Sequence, residues 1–225
     1  MKLGINFKTG HKWSLTSWIS EEVPASGSFT FGGDPNGTSQ LVIWWRGGVS
    51  WTSGLWRDGY FDNTTQLSNE DYYSFSYVSN EDEKYLTYSV NSSNTSPRYT
   101  IQPYGAVYDR NGMSPFGDCD FRRYAFPGCG FSMGASPECR KNNRWSGQDQ
   151  GFVYGDGFKY DERSNLSFYD CKQICWNNCS CVACASTSLN GTGCEIWSRV
   201  TSYETSPDSY TRRTFVFIQS ETETG

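Results

Sequence analysis

The chain has 225 residues and is polar (mean hydropathy -0.65), yet 17% of it is aromatic. Its net charge of -5 and scattered Lys and Arg exclude a basic nucleic-acid-binding face, and an aromatic load of this size excludes a disordered chain, because such rings bury enough area to offset chain entropy. With His11 as its single histidine, His-based triads and multi-His metal sites are excluded too.

Residues 1–60 read as short strands separated by turns. Trp13–Ile19 and Ser28–Phe31 alternate, Gln40–Trp45 is an apolar run, and Val49–Trp51 follows a Gly47-Gly48 turn. The segment from Gly32 to Gly37 is turn chemistry. Strands recurring at about ten-residue spacing predict a β-sandwich, barrel or prism. Trp44, Trp45, Trp51 and Trp56 admit two readings, core packing and a sugar-stacking platform, and alternation favours the core.

Residues 61–148 open with a strand, Tyr72–Val78, whose Tyr73, Phe75 and Tyr77 share a face; Tyr85–Val90 and Arg98–Tyr104 are expected as its partners. The region then becomes irregular, with Cys119, Cys129 and Cys139 among Gly, Pro and Arg, a composition that needs disulfides to hold it. The acidic groups Glu21/Glu22 and Glu81/Asp82/Glu83 lie in polar loops and read as solvated charge rather than a hydrolase pair.

Residues 149–225 form a third predicted unit. Gly151–Tyr154 is a strand, and Ser167 with Asp170 makes a capping box that starts a helix at about 167–177. Cys171, Cys175 and Cys179 recur four apart, on one face of that helix and its extension. Cys181–Thr187, Cys194–Trp197 and Arg213–Gln219 are expected strands. The implied fold class is mainly β with a small α+β domain in which a helix is clamped to a sheet.

Close cysteines fit either a metal site or a disulfide staple. The sequence also carries seven Asn-x-Ser/Thr triplets, at Asn36, Asn63, Asn91, Asn94, Asn165, Asn178 and Asn190. Glycosylation at such triplets takes place in the oxidising compartment where disulfides persist, so the staple is favoured. Nine cysteines leave one unpaired or bonded between chains. The residues following Met1 form no apolar leader, and no apolar run approaches the roughly 20 residues of a membrane span. The expectation is a fragment of a longer extracellular protein.

The pattern Cys171-x3-Cys175-x3-Cys179-x-Cys181, followed by Gly191-Thr-Gly-Cys194-Glu-Ile-Trp197, resembles the PAN/apple-like domain of plant S-domain receptor kinases. Leu15-Thr-Ser-Trp18, Pro24 to Phe29 and Trp51-Thr-Ser-Gly-Leu-Trp56 resemble the end of a second bulb-type lectin repeat and its junction with an S-locus glycoprotein region. The resemblance implies the ectodomain of a G-type lectin S-receptor-like serine/threonine kinase: truncated lectin β-prism strands over 1–60, an S-locus glycoprotein-like region with a degenerate EGF-like remnant over 61–148, and a PAN/apple-like domain over 149–225. It implies the pairs Cys171–Cys194 and Cys175–Cys181. Cys184 stands where relatives carry Tyr and is the expected free thiol, while Cys179 seeks Cys119, Cys129 or Cys139. No kinase signature and no mannose-binding strand motif occurs. The function implied is therefore recognition without catalysis, cofactor or metal. The partners implied are a protein or peptide ligand, a second receptor of the same kind, or, by family alone, a carbohydrate. The alternatives are a truncated product without independent function and, more remotely, a secreted carbohydrate-active enzyme.

Overall fold

The computed structural model describes residues 2–62, 73–90, 98–109, 137–140, 145–146, 151–161, 165–205 and 212–219. The expected Asn63, Asn91, Asn94, Cys119 and Cys129 lie outside these residues. The chain divides into two compact units, one of Met1–Ser17 with Ser28–Met133, the other of Trp18–Gly27 with Gly134–Gly225.

The first unit is built on a seven-stranded sheet. Its strands are β1 (Leu3–Asn6), β2 (Lys12–Trp18), β3 (Ser26–Gly33), β4 (Leu41–Trp45), β5 (Gly48–Thr52), β8 (Tyr73–Ser79) and β9 (Glu83–Val90), in the order β5-β4-β3-β2-β1-β9-β8. The intervening β6 (Trp56–Arg57) and β7 (Tyr60–Phe61) make a separate hairpin, as do β10 (Thr100–Ile101) and β11 (Val107–Tyr108). The β4–β5 hairpin turns through Arg46 (φ 46°) and Gly47 (φ 83°). Two consecutive positive φ values match the twist of the flanking strands, and Gly at the second position adopts one without strain. Phe29, Phe31, Leu41, Val42, Trp51, Phe61 and Leu86 are almost completely buried. Trp56 packs edge-on to Phe61 at 4.8 Å and lies over Tyr77 at 6.0 Å.

This unit changes two sequence expectations. β1 pairs with β2 on one side and, at Leu3↔Leu86, with β9 on the other. The expected boundary at residues 60/61 therefore falls inside one sheet, in which β1 is an interior strand. Arg98–Tyr104 does not join β8 and β9, because Thr100 and Ile101 pair locally with Tyr108 and Val107.

The second unit contains a 3₁₀ turn at Glu138–Arg140, β12 (Trp145–Ser146), β13 (Gly151–Lys159), helix α1 (Phe168–Asn177), β14 (Ala183–Ala185), β15 (Glu195–Thr205), β16 (Thr214–Val216) and β17 (Ile218–Gln219). Four strands form a sheet in the order β13-β15-β14-β16. The Thr214 hydroxyl donates to the Gly151 carbonyl at 3.0 Å, so β16 and the start of β13 are drawn together and the sheet curls. One face buries Val153, Ala183, Ala185 and Trp197, with Val200, Tyr203 and Val216 against them. The expected final strand divides at Phe217, which is buried, and Ile218–Gln219 pairs with β12 instead.

Helix α1 begins as its capping box dictates. The Ser167 hydroxyl accepts the Asp170 N–H at 3.1 Å, and the Asp170 carboxylate accepts the Ser167 N–H at 2.9 Å. Asp170 is fully buried, so these bonds replace its hydration. Ser167→Ala is expected to cost about 1–2 kcal/mol, measurable as a lower urea midpoint with unchanged m.

Candidate recognition surface and its disulfide clamp

Three disulfides hold the second unit. Cys171, on α1, is bonded to Cys194 at the entrance to β15, and Cys175, one turn further along, to Cys181 just before β14. The Gly191–Cys194 return segment is also tied to the helix start, since Phe168 N–H donates to Gly191 O at 3.1 Å and Gly193 N–H to Leu166 O at 2.8 Å. Cys179 departs from the expected helix face: α1 ends at Asn177, its C-cap is Asn178, and Cys179 turns outward to bond Cys139. Among the described residues, no group of three or more His, Cys, Asp and Glu is gathered as a metal site.

The side chain that locks the end of α1 is Arg140, which sequence reasoning missed. Its guanidinium donates to the carbonyls of Trp176 (3.2 Å), Cys175 (3.3 Å), Asn178 (3.0 Å) and Cys181 (2.6 Å). It lies near the rings of Trp176 and Phe217, at 5.6 Å and 5.0 Å. A cation at a helix C-terminus satisfies carbonyls that lack intrahelical partners and complements the macrodipole. Its neighbour Cys139 was the only local signal.

Cys184 is wholly buried and free. Burial pushes its thiol up to about 12, against a smaller opposing influence from the Lys172 charge. The thiolate is the nucleophile, so a thiol of this kind is inert at neutral pH. Maleimide is expected to leave Cys184 unmodified in the folded chain and to modify it once the chain is denatured without reductant, as read by peptide mapping.

On the face away from Val153 and Trp197, β13 presents a row of exposed rings. Val153 is buried and Phe152, Tyr154, Asp156 and Phe158 are exposed, along a strand whose ladder with β15 shifts register after Tyr154 and after Asp156. Phe152, Tyr154 and Phe158 are 44%, 48% and 61% exposed. Asp156 between them pairs with Arg199 on β15 at 2.8 Å, and Tyr160 meets Phe158 edge-on at 5.1 Å. Gly157 lets the strand lie against Trp197, since a Cβ there would stand 2.9 Å from the indole nitrogen. Exposed apolar rows of this kind mark interaction surfaces.

Among the described residues, the other groups of sequence candidates lie apart from one another. Trp51 is buried in the first unit, which removes it from any Trp platform. His11 is exposed, and its ring meets Trp13 edge-on at 5.1 Å. Asp82 pairs with Lys8, Glu83 with Lys2, and Glu21 with Arg213. Of the described sequons, Asn36, Asn165 and Asn178 are exposed. Asn190 is half-buried, and its side-chain oxygen accepts the Thr192 hydroxyl at 2.7 Å. The Asn36 loop is fixed by buried Asp34, whose carboxylate accepts the Thr38 hydroxyl and, at 3.0 Å, the Asn36 N–H. Burial raises the Asp34 carboxyl, but these hydrogen bonds outweigh it and hold the group below the usual carboxylate range.

A helix stapled by buried disulfides onto a small curled sheet defines the second unit as a PAN-like domain, and the PAN-like family model matches residues 157–201. The chain as a whole is similar to G-type lectin S-receptor-like serine/threonine kinases. It is 35% identical to the Arabidopsis thaliana G-type lectin S-receptor-like serine/threonine-protein kinase CES101, across 97% of this chain and 30% of that protein. It is 36% identical to the Arabidopsis thaliana kinase At1g67520 of the same description, across 88% of this chain and 24% of that protein. An S-locus-specific glycoprotein, S6 of Brassica oleracea, is 24% identical over 88% of this chain and 55% of its own length. The chain thus spans less than a third of the kinases it matches, within the region expected to be their ectodomain. No described helix is long and apolar enough to cross a membrane.

Proposed function

We propose that this chain is a non-catalytic, extracellular recognition module whose β13 face docks a protein or peptide partner. The observation that carries this reading is the exposed row Phe152, Tyr154 and Phe158 around the Asp156–Arg199 pair, on a strand backed by the Val153 and Trp197 cluster. Aromatic rings beside an Arg are the composition of protein-binding hot spots, and a rigid scaffold spares the ordering cost of binding. The exposed sequons at Asn36, Asn165 and Asn178, and the disulfides, support passage through the secretory pathway. A second copy or a like receptor is a partner of the right class, and cell-surface recognition is the process such a partner implies.

The test is surface plasmon resonance on the chain secreted from a eukaryotic host. Purified extracellular regions of S-receptor-like kinases, the chain itself and a glycan panel are passed over it. Saturable binding of a protein analyte is expected. Binding confined to glycans would overturn the protein-docking reading and favour the carbohydrate one; no binding to any analyte would favour a product without independent function. Mass spectrometry of the same material is expected to show Asn-to-Asp conversion at Asn36, Asn165 and Asn178 after enzymatic deglycosylation.

A further inference from the structure

The three described disulfides differ in their access to solvent. Cys171, Cys175 and Cys194 are 0% exposed and Cys181 is 1% exposed. The Cys171 sulfur lies 3.5 Å from Ala185 O, and the Cys175 sulfur 3.5 Å from Ala183 O, beneath the helix. Cys179 instead sits in a run of exposed residues, Asn177 to Ser180, and its partner Cys139 is half-buried. Exchange requires a thiolate to reach a disulfide sulfur. Approach to the buried pairs would desolvate that charge, whereas approach to Cys179 would not.

We infer that Cys179 is a site of reversible thiol–disulfide exchange, acted on by an external dithiol of the thioredoxin-like class, and that the two buried pairs are inert in the folded chain. One thiolate of the donor attacks the Cys179 sulfur and forms a mixed disulfide. The Cys139–Cys179 bond breaks, and Cys139 leaves with the electron pair and takes up a proton. The donor's second thiol then attacks its own sulfur in the mixed disulfide and releases Cys179 as a thiol. The donor becomes a disulfide, and the chain gains two electrons and two protons.

Arg140 makes the change reversible. Its bonds to the carbonyls at the end of α1 do not depend on the neighbouring disulfide, so they keep Cys139 beside Cys179 after reduction. The bond closes a 40-residue separation that contains β12, β13 and α1. Its state therefore sets how tightly the strand carrying the exposed aromatic row is tethered.

The experiment uses the full 225-residue chain in native buffer. It is exposed to dithiothreitol, or to a reduced thioredoxin, quenched with N-ethylmaleimide at intervals and peptide-mapped. Cys139 and Cys179 are expected to be trapped at least tenfold faster than Cys171, Cys175, Cys181 and Cys194, and to re-form their bond when the reductant is removed. A Cys139→Ser/Cys179→Ser variant is expected to melt cooperatively at a lower temperature, as loss of a 40-residue closure requires, and to lose the fast phase while the slow one persists. Opening of the buried pairs at a comparable rate would overturn the inference, as would a fast phase that persists in the double variant.

Discussion

Replacing Arg140 with Ala is expected to destabilise the second unit by about 3–4 kcal/mol. Of the four carbonyls that Arg140 reaches, Cys175 O also accepts the Asn178 N–H and Asn178 O the Cys181 N–H. Trp176 O and Cys181 O depend on the guanidinium more heavily. Two buried acceptors deprived of a donor cost about 1–3 kcal/mol each, and the space left between the Trp176 and Phe217 rings adds a packing term. Differential scanning calorimetry should show the transition lowered by ten degrees or more, at about 4–8 °C per kcal/mol for a unit of this size. Arg140→Lys keeps the charge but not the fork of donors, so it should recover less than half of the loss. A shift below 1 kcal/mol for Arg140→Ala would mean that the helix end is held by the disulfides alone.

The second large effect belongs to the bond between Cys171 and Cys194. Its 23-residue separation restricts the unfolded chain by about 3 kcal/mol, against about 2 kcal/mol for the 6-residue separation of Cys175 and Cys181. Both Cys171 and Cys194 are completely buried, so Cys171→Ala/Cys194→Ala also removes packed sulfur from between helix and sheet. The double variant should lose about 3–4 kcal/mol in denaturant melts, and the equivalent change at Cys175 and Cys181 should lose less. Equal losses would show that loop length does not govern the difference.

What the sequence made legible was local. The capping box at Ser167 and Asp170 and the two-residue period of β8 depend on neighbours within a few residues and appear where the pattern puts them, and the expected Gly47-Gly48 turn forms one residue earlier, at Arg46 and Gly47. Pairing across distance was not legible. Nothing in Leu3–Asn6 states that it lies beside Glu83–Val90, and the domain boundary drawn at residue 60 suffered for it. β13 is longer than its pattern because Gly155 and Gly157 read as strand breakers. Gly157 is small because Trp197 lies over it, a contact forty residues away in sequence. Arg140 was invisible for a related reason: its role depends on carbonyls some 35 to 41 residues downstream, and backbone acceptors leave no mark on a sequence. The helix-borne cysteines stood out by spacing and family pattern, whereas Cys179 lies past the helix end and was not placed by the four-residue repeat.

The recognition surface proposed on β13 is backed by a cluster, Val153, Ala183, Ala185 and Trp197, that does not itself need those rings. The direct measurement is the affinity of a Phe152→Ala/Tyr154→Ala/Phe158→Ala variant for the protein analyte that the unmodified chain binds, taken together with its melting curve. All three rings are substantially exposed, so their loss should leave stability nearly unchanged while Kd weakens at least tenfold, in line with the loss of central aromatic contacts. An unchanged Kd in a variant that melts normally would contradict the account and move the recognition surface elsewhere on the chain.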